Sequence, residues 1–267
     1  MGSIEVYRAN RKSNLLSDAD AAPVEIYNAE GRSPYVLTCE HAGRKVPKIL
    51  GNLGIYGRHW ERHIAWDIGA EAVSRMLAEL LDAPLVTQRY SRLVIDCNRP
   101  LHSDEAIPPV SDGTEVPGNI GISEQERIER IEDIHTPYHD AITRLLDERE
   151  QSKYVTALIS VHSFTPCLEA KPGPRPWDLG ILHNRDEQLS RHIRDALERE
   201  ANHLQFTFNE PYSVNDDEDY TIPVHGEQRG IPHALLEIRN DHINEHRGQR
   251  EWTDMLKRVF ETVAPRV

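Results

Sequence analysis

"VTALISVHS", Val155 to Ser163, reads as a strand that is apolar on both faces and then turns abruptly polar. Aliphatic residues at consecutive positions suit a central strand covered by helices on both sides, whereas a half-exposed strand would alternate. Working outward, Tyr35 to Cys39 ("YVLTC"), Leu85 to Thr87, Leu93 to Ile95, Leu179 to Leu182 and Ala234 to Ile238 ("ALLEI") are further strand candidates. Between them lie helical patterns. Trp60 to Leu81 places Ile64, Ile68, Val73, Leu77 and Leu80 at near-helical spacing, and Ser123 to Arg149 opens with a Ser123/Glu126 capping box. Pro137 is expected to kink or break that second helix. Glu187 to Asn202 and Trp252 to Val263 complete the set, while Cys167 to Asp178 and the acidic Ser213 to Thr221 read as loops. The alternation predicts an α/β protein: one three-layer domain over residues 23–267 with a mixed, mostly parallel sheet, preceded by a flexible segment, 1–22.

Bulk composition narrows the function. The 267 residues carry 31 Lys and Arg against 44 Asp and Glu, a net charge of −13 that disfavours nucleic acid and anionic lipid as partners. Cys39, Cys97 and Cys167 lie far apart with no CxxC spacing, so neither a disulfide framework nor a thiolate zinc site is indicated, and a reducing cytoplasm is the expected location. No apolar leader and no run long enough to span a membrane is present. The oligomeric state is left open.

In an open α/β sheet, ligands bind beyond the carboxyl ends of the strands. Four such ends are polar here: Glu40-His41, Asp96 to Arg99 in "SRLVIDCNRP", His162-Ser163, and Glu237 with Arg239. Within the first helical pattern, "HIAWD" sets His63 and Asp67 four residues apart, on one helical face. Two imidazoles and a carboxylate with an open position make a catalytic zinc shell, although a histidine at a strand end serves equally as a hydrogen-bonded structural residue. Glu237 lies between Leu236 and Ile238, so its carboxylate is expected on a water-poor face, either as a general base or salt-bridged to Arg239.

Taken together, "CEHAGRKVP", "HIAWDIGA", "YSRLVIDCNRP", "SVHSFTP", "NEPYS" and "LLEIRND" resemble the N-formylglutamate amidohydrolase family, from Tyr35 to the C-terminus. That family is similar in fold to zinc carboxypeptidases and aspartoacylase. The resemblance implies one zinc ion per chain held by His41 and His162, with Asp67 as third ligand and His63 as the alternative; the HxxE position of the carboxypeptidases is Arg44 here. It implies Glu237 as the base and Arg92 as the oxyanion partner, with Asn98 and Arg99 gripping the substrate's free carboxylate and Asp96 orienting them. Arg239, Ser163, Tyr212 and His225 are further substrate-binding candidates, the last two on mobile loops; Arg175 and Trp177 read as loop anchors. The implied substrate is a small N-acyl amino acid such as N-formylglutamate. A zinc exopeptidase and a non-catalytic carboxylate-binding protein of the same fold are the alternatives.

Overall fold

All eight residues of the strand Ala157–Phe164 are buried, and the rest of the fold is arranged around it. In the computed structural model, which describes residues 2–8 and 13–266, the strands are β1 (Ile4–Tyr7), β2 (Val24–Tyr27), β3 (Tyr35–Cys39), β4 (Leu85–Gln88), β5 (Val110–Ser111), β6 (Thr114–Glu115), β7 (Ala157–Phe164), β8 (Leu179–Leu182), β9 (Phe206–Phe208) and β10 (His233–Arg239). The helices are α1 (Ala70–Leu81), α2 (Glu124–Arg130), α3 (Thr136–Gln151), α4 (Gln188–Glu200) and α5 (His246–Val263). One sheet runs β1-β2-β4-β3-β7-β10-β8-β9, and β5 and β6 form a separate hairpin. Its central strands β4, β3, β7 and β10 are parallel. β2 joins β4 and β8 joins β10 antiparallel.

Strand alternation sorts the side chains into two cores. Tyr35, Leu37 and Cys39 of β3, Ala157, Ile159 and Val161 of β7, and Ala234, Leu236 and Ile238 of β10 pack with α1, α4 and α5. The opposite face carries Val36, Leu158 and Leu235, covered by Tyr138, Ile142 and Leu145 of α3 and by the segments around Leu53 and Leu93. The result is the three-layer, single-domain α/β architecture expected from the sequence. Among the described residues, no helix is long and apolar enough to cross a membrane.

Two expectations change. Leu93 to Ile95 is buried but is a turn, closed by Val94 N–H donating to the Ser91 carbonyl at 2.9 Å and by Leu93 N–H donating to the Ser91 hydroxyl at 3.1 Å. A short aliphatic run marks burial, and here side-chain capping by Ser91 satisfied the backbone without a ladder. The first helix begins only at Ala70, because Gly69 before it has φ of 80° and a Cβ there would collide with the Ile243 carbonyl. His63 and Asp67 therefore sit in the irregular chain before α1, not on one helical face. The break expected at Pro137 takes the form of a wider, π-type turn at Ile131–His135 that separates α2 from α3 and leaves Pro137 in the first turn of α3. Within the segment 1–22, expected to be flexible, β1 pairs with β2, and Leu15 and Leu16 are buried in the α3-side core. Residues 9–12 of that stretch lie outside the described residues.

Candidate active site

The same alternation that builds the α3-side core places the polar groups. On β3 the face that carries Val36 and Thr38 ends in Glu40; on β7 Leu158 and Ser160 lead to His162; on β10 Leu235 leads to Glu237. Parallel register sets Glu237 beside His162. His41 follows directly after Glu40, and its carbonyl accepts the Asp67 N–H at 2.9 Å, tying the segment before α1 to the end of β3. Gly43 lets the chain after His41 pass against Arg89, since a Cβ there would overlap the Arg89 carbonyl.

His41, Asp67 and His162 converge. Their facing atoms stand 3.1 Å (His41 Nδ1 to His162 Nδ1), 2.8 Å (His162 Nδ1 to Asp67 Oδ2) and 3.3 Å (His41 Nδ1 to Asp67 Oδ2) apart. Tetrahedral zinc with bonds of about 2.0–2.1 Å holds its ligand atoms about 3.3 Å from one another, so the triangle has the size of one face of such a shell. The donor set of two imidazoles and one carboxylate suits zinc. Each ring turns its other nitrogen to a buried carboxylate: His41 Nε2 is 2.7 Å from Asp96 Oδ1 and His162 Nε2 is 2.8 Å from Glu40 Oε2. These contacts put the ring proton on Nε2 and aim the Nδ1 lone pair into the triangle. Of the two expected candidates for third ligand, the triangle takes Asp67. His63 lines the same cavity but faces Asp112, 3.6 Å away.

Electrostatics follow from burial and pairing. Burial works against the Glu40 carboxylate, yet hydrogen bonds from His162 and Ser160 bring its pKa down to about 2. Asp67 and Asp96 are likewise buried and held well below the usual carboxylate range, Asp67 by His41 and His162, Asp96 by Arg92 and His41. Burial would lower His162, but Asp67 and Glu40 raise it well above 6.5. In the absence of a cation the cluster thus keeps a proton among its nitrogens and carboxylates.

Glu237 behaves oppositely. Its Oε2 is buried without a hydrogen-bond partner, and burial pushes the carboxyl up to about 7, with His162 and Arg92 opposing. The salt bridge to Arg239 is not formed. Arg239 instead bonds Asp241 at 2.8 Å, Asp178 at 3.3 Å and the Pro176 carbonyl at 3.2 Å, anchoring the proline-rich loop outside the cavity. Its assignment to substrate is thereby corrected.

A cavity of about 530 Å³ opens over these groups, and Arg92, Asn98, Arg99, Ser163, Tyr212 and Glu237 line it. Arg92 projects from the Ser91–Asp96 turn, fixed by two bonds to Asp96 Oδ2 (2.7 and 3.0 Å), with Nη1 3.5 Å from Asp67 Oδ1. Asp96 also accepts the Asn98 N–H at 2.8 Å, so it orients Arg92, His41 and Asn98 together. Asn98 and Arg99 already hold a carboxylate. Asp219, from the acidic loop, accepts Asn98 Nδ2 at 3.0 Å and lies 3.5 Å from Arg99 Nη1. Arg99 also bonds the Glu218 carbonyl at 2.6 Å and Glu105 at 3.2 Å, leaving Nη2 without a bond among the described residues. Ser163 is partly spent, its hydroxyl donating to the Ile68 carbonyl at 2.9 Å. The Tyr212 hydroxyl accepts Arg175 Nη1 at 3.0 Å, and Arg175 also reaches the Thr165 carbonyl at 3.2 Å, as a loop anchor should.

His225 does not line the cavity. It is buried in a turn at Ile222–Glu227, with Nε2 2.9 Å from His139 Nδ1, inside a packed group of His135, His139 and Tyr220. Burial lowers it to about 4, keeping the ring neutral. Its expected place on a mobile loop is corrected. Sequence reasoning gave no role to Glu40 or Asp219. Glu40 was legible as a charged residue sharing the buried face of Thr38; nothing local in the sequence marks Asp219.

Comparison with known proteins gives the fold and the family. A gene product of Agrobacterium tumefaciens is 33% identical, with a TM-score of 0.89 over 94% of this chain and 99% of that one. An N-formylglutamate amidohydrolase from Ralstonia eutropha shares the fold at 20% identity and a TM-score of 0.66, over 92% of this chain and 98% of that one. A search of curated proteins returns no match. Residues 33–244 match the family described as N-formylglutamate amidohydrolase, so that the chain, from just before β3 to the turn after β10, belongs to that hydrolase family.

Proposed function

We propose that the protein is a divalent-metal-dependent hydrolase that cleaves the amide of an N-formyl amino acid, the class to which N-formylglutamate belongs. The observation that carries this reading is the triangle of His41 Nδ1, Asp67 Oδ2 and His162 Nδ1, with Glu237 beside His162 and its buried Oε2 without a hydrogen-bond partner among the described residues. His41, Asp67 and His162 would hold the ion, with zinc favoured by the donor set. Bound there, zinc would supply Lewis acidity, polarising the acyl carbonyl and acidifying a water molecule.

The chain's own residues supply the rest. Asp96 and Glu40 hold the outer ring nitrogens of His41 and His162, so neither imidazole can rotate away. Glu237, poised near neutrality by burial, takes the proton of the attacking water and delivers it to the leaving amine. Arg92, fixed by Asp96, donates from Nη1 to the oxygen that becomes negative as the carbonyl carbon turns tetrahedral. Arg99 Nη2 binds the amino acid's α-carboxylate, with Ser163 and Tyr212 on the cavity wall. The products are formate and a free amino acid.

The test is amine release from a panel of N-formyl amino acids by protein loaded with one equivalent of zinc, against chelator-treated protein. Turnover that appears with zinc and disappears on chelation is the expected result. No turnover of any member by protein carrying stoichiometric metal overturns the reading.

A further inference from the structure

The arginines around the cavity differ in what already faces them. Arg92 is paired with Asp96 and Asp67, Arg99 with Asp219 and Glu105, and, farther out, Arg62 with Asp112 and Glu169. Arg175 is different. Among the described residues it has no acidic partner, and its side chain bonds only neutral oxygens: Nη1 donates to the Thr165 carbonyl at 3.2 Å and to the Tyr212 hydroxyl at 3.0 Å.

Arg175 sits half-buried in the loop between β7 and β8, with its guanidinium carbon 4.8 Å from the centre of the Tyr212 ring and 5.8 Å from that of Phe164. Both rings line the cavity. Packing against them fixes the guanidinium plane and displaces water from its faces without neutralising its charge. The Tyr212 hydroxyl also locates it: burial raises that hydroxyl's pKa, the Glu237 charge adds to the rise, and Arg175 and Arg92 oppose it, so the phenol lies within electrostatic reach of the reactive groups. Because one nitrogen makes both bonds, the other edge of the guanidinium is intact. Nε and Nη2 share that edge with their N–H bonds parallel, and neither is bonded among the described residues. Such an edge matches the two oxygens of a carboxylate, and Arg92 uses the same two nitrogens on Asp96.

We propose that Arg175 is a specificity-determining residue, receiving the side-chain carboxylate of the substrate on its Nε and Nη2 edge and so favouring N-formyl amino acids with an acidic side chain over their uncharged isosteres. The α-carboxylate goes to Arg99 Nη2, and the second carboxylate meets a cation that the described chain leaves unneutralised. This deepens the function proposed above and rests on it only for its turnover arm. Arg175 takes no part in the bond-breaking step.

Two matched ligand pairs test it. With zinc-loaded protein, kcat/KM for N-formyl-L-glutamate should exceed that for N-formyl-L-glutamine by about ten- to a hundredfold. Arg175→Met, which can still pack on the two rings but carries no charge, should bring that ratio toward one, mainly by raising KM for the glutamate member. If Arg175→Met does not fold, Arg175→Gln, which can still donate to Tyr212 and Thr165, should show the same loss. A second arm needs no turnover: L-glutamate should raise the Tm of the wild-type protein more than L-glutamine does, and either variant should remove the difference. Where turnover is measurable the kinetic ratio decides. Where no N-formyl amino acid is hydrolysed the binding arm decides, so the catalytic reading can fall while the specificity stands. A folded variant that loses rate equally on both substrates and keeps the wild-type ratio shows Arg175 to be a loop anchor alone and overturns the proposal. So does a wild-type protein without preference for the glutamate member, whether or not the variants fold.

Discussion

His41 and His162 face each other with their Nδ1 atoms 3.1 Å apart, while their Nε2 atoms point away to Asp96 and Glu40. Two imidazoles so arranged cannot both carry a proton on the facing nitrogens without repulsion, so the pair is preorganised for a cation. Removing an outer partner should loosen that arrangement without touching a ligand. Glu40→Gln and Asp96→Asn should each weaken zinc binding by about 10- to 100-fold, and His41→Ala should abolish stoichiometric binding. Competition against a chromophoric chelator reads this directly. Stoichiometric, wild-type affinity in His41→Ala would remove the triangle from consideration as a metal site.

The second expectation concerns the base. Glu237→Gln preserves shape but cannot accept a proton. Metal content and substrate binding should be retained while kcat falls by about 10² to 10⁴. Because Oε2 has no partner and Arg239 is paired elsewhere, the variant should be at least as stable as wild type. Near-normal kcat per mole of folded, metal-loaded protein would exclude Glu237 from the mechanism.

Arg99→Ala separates binding from structure. It removes the donor assigned to the α-carboxylate and also releases the Glu218 carbonyl and Asp219. KM for an N-formyl amino acid should rise by an amount equivalent to about 2–4 kcal/mol, and by much less for the corresponding α-amide. Equal losses on acid and amide would show that Arg99 only anchors the acidic loop.

The paired titratable groups give the metal-free protein a defined pH range. Glu40 is depressed from 4.5 to about 2 in the folded chain, so its contribution is fully present above 4.5 and is lost as pH falls through about 2. His162 is raised, so its contribution is fully present below 6.5 and is lost as pH rises through the higher folded value. The contributions of Glu40 and His162 to the metal-free protein should therefore both be fully present between about pH 4.5 and 6.5. Added zinc should stabilise progressively more as pH rises from 6 to 8, because binding displaces the shared proton. A zinc-induced Tm shift that does not change over that interval would contradict the proton held between His162 and Asp67.

These contacts also indicate what a sequence reveals. The ends of β3, β7 and β10 were legible because a period of two fixes which residues of a strand share a face; that His162 and Glu237 stand together follows from the parallel pairing of β7 with β10. His41 was legible as a histidine directly after the apolar strand Tyr35–Cys39. The turn at Leu93 to Ile95 was not legible, because hydrophobicity reports burial and says nothing of whether a ladder or Ser91 satisfies the backbone. Likewise the spacing of His63 and Asp67 fits a helix until Gly69 imposes its positive φ. Arg239 and His225 have the right chemistry, but their directions depend on Asp178 and His139, distant residues that no local pattern identifies. Asp219 reaches Asn98 across 121 positions.

Arg130 supports the site from behind, and its removal should affect stability before chemistry. Its side chain is almost wholly buried, yet it has no carboxylate partner among its bonds: it donates to the Val94 carbonyl at 3.0 Å, the Gly118 carbonyl at 3.0 Å and Asn119 Oδ1 at 2.6 Å. Burial lowers its pKa to about 10, with distant Glu126 opposing, so the guanidinium remains charged at neutral pH. Val94 lies inside the turn that presents Arg92 and Asp96, and Asn119 grips the same turn by donating to the Leu93 carbonyl at 2.8 Å. Arg130→Met fills much of the space and relieves the buried charge, but strands three acceptors. A net loss of about 2–4 kcal/mol is expected from urea unfolding, below the sum for three separate bonds because the desolvation cost of the cation is recovered. If the turn shifts as a unit, Asp96 moves off His41 and zinc affinity falls with stability. A variant that loses stability but binds zinc with wild-type affinity would show that Ser91, Asn119 and the core hold Arg92 and Asp96 in place without Arg130.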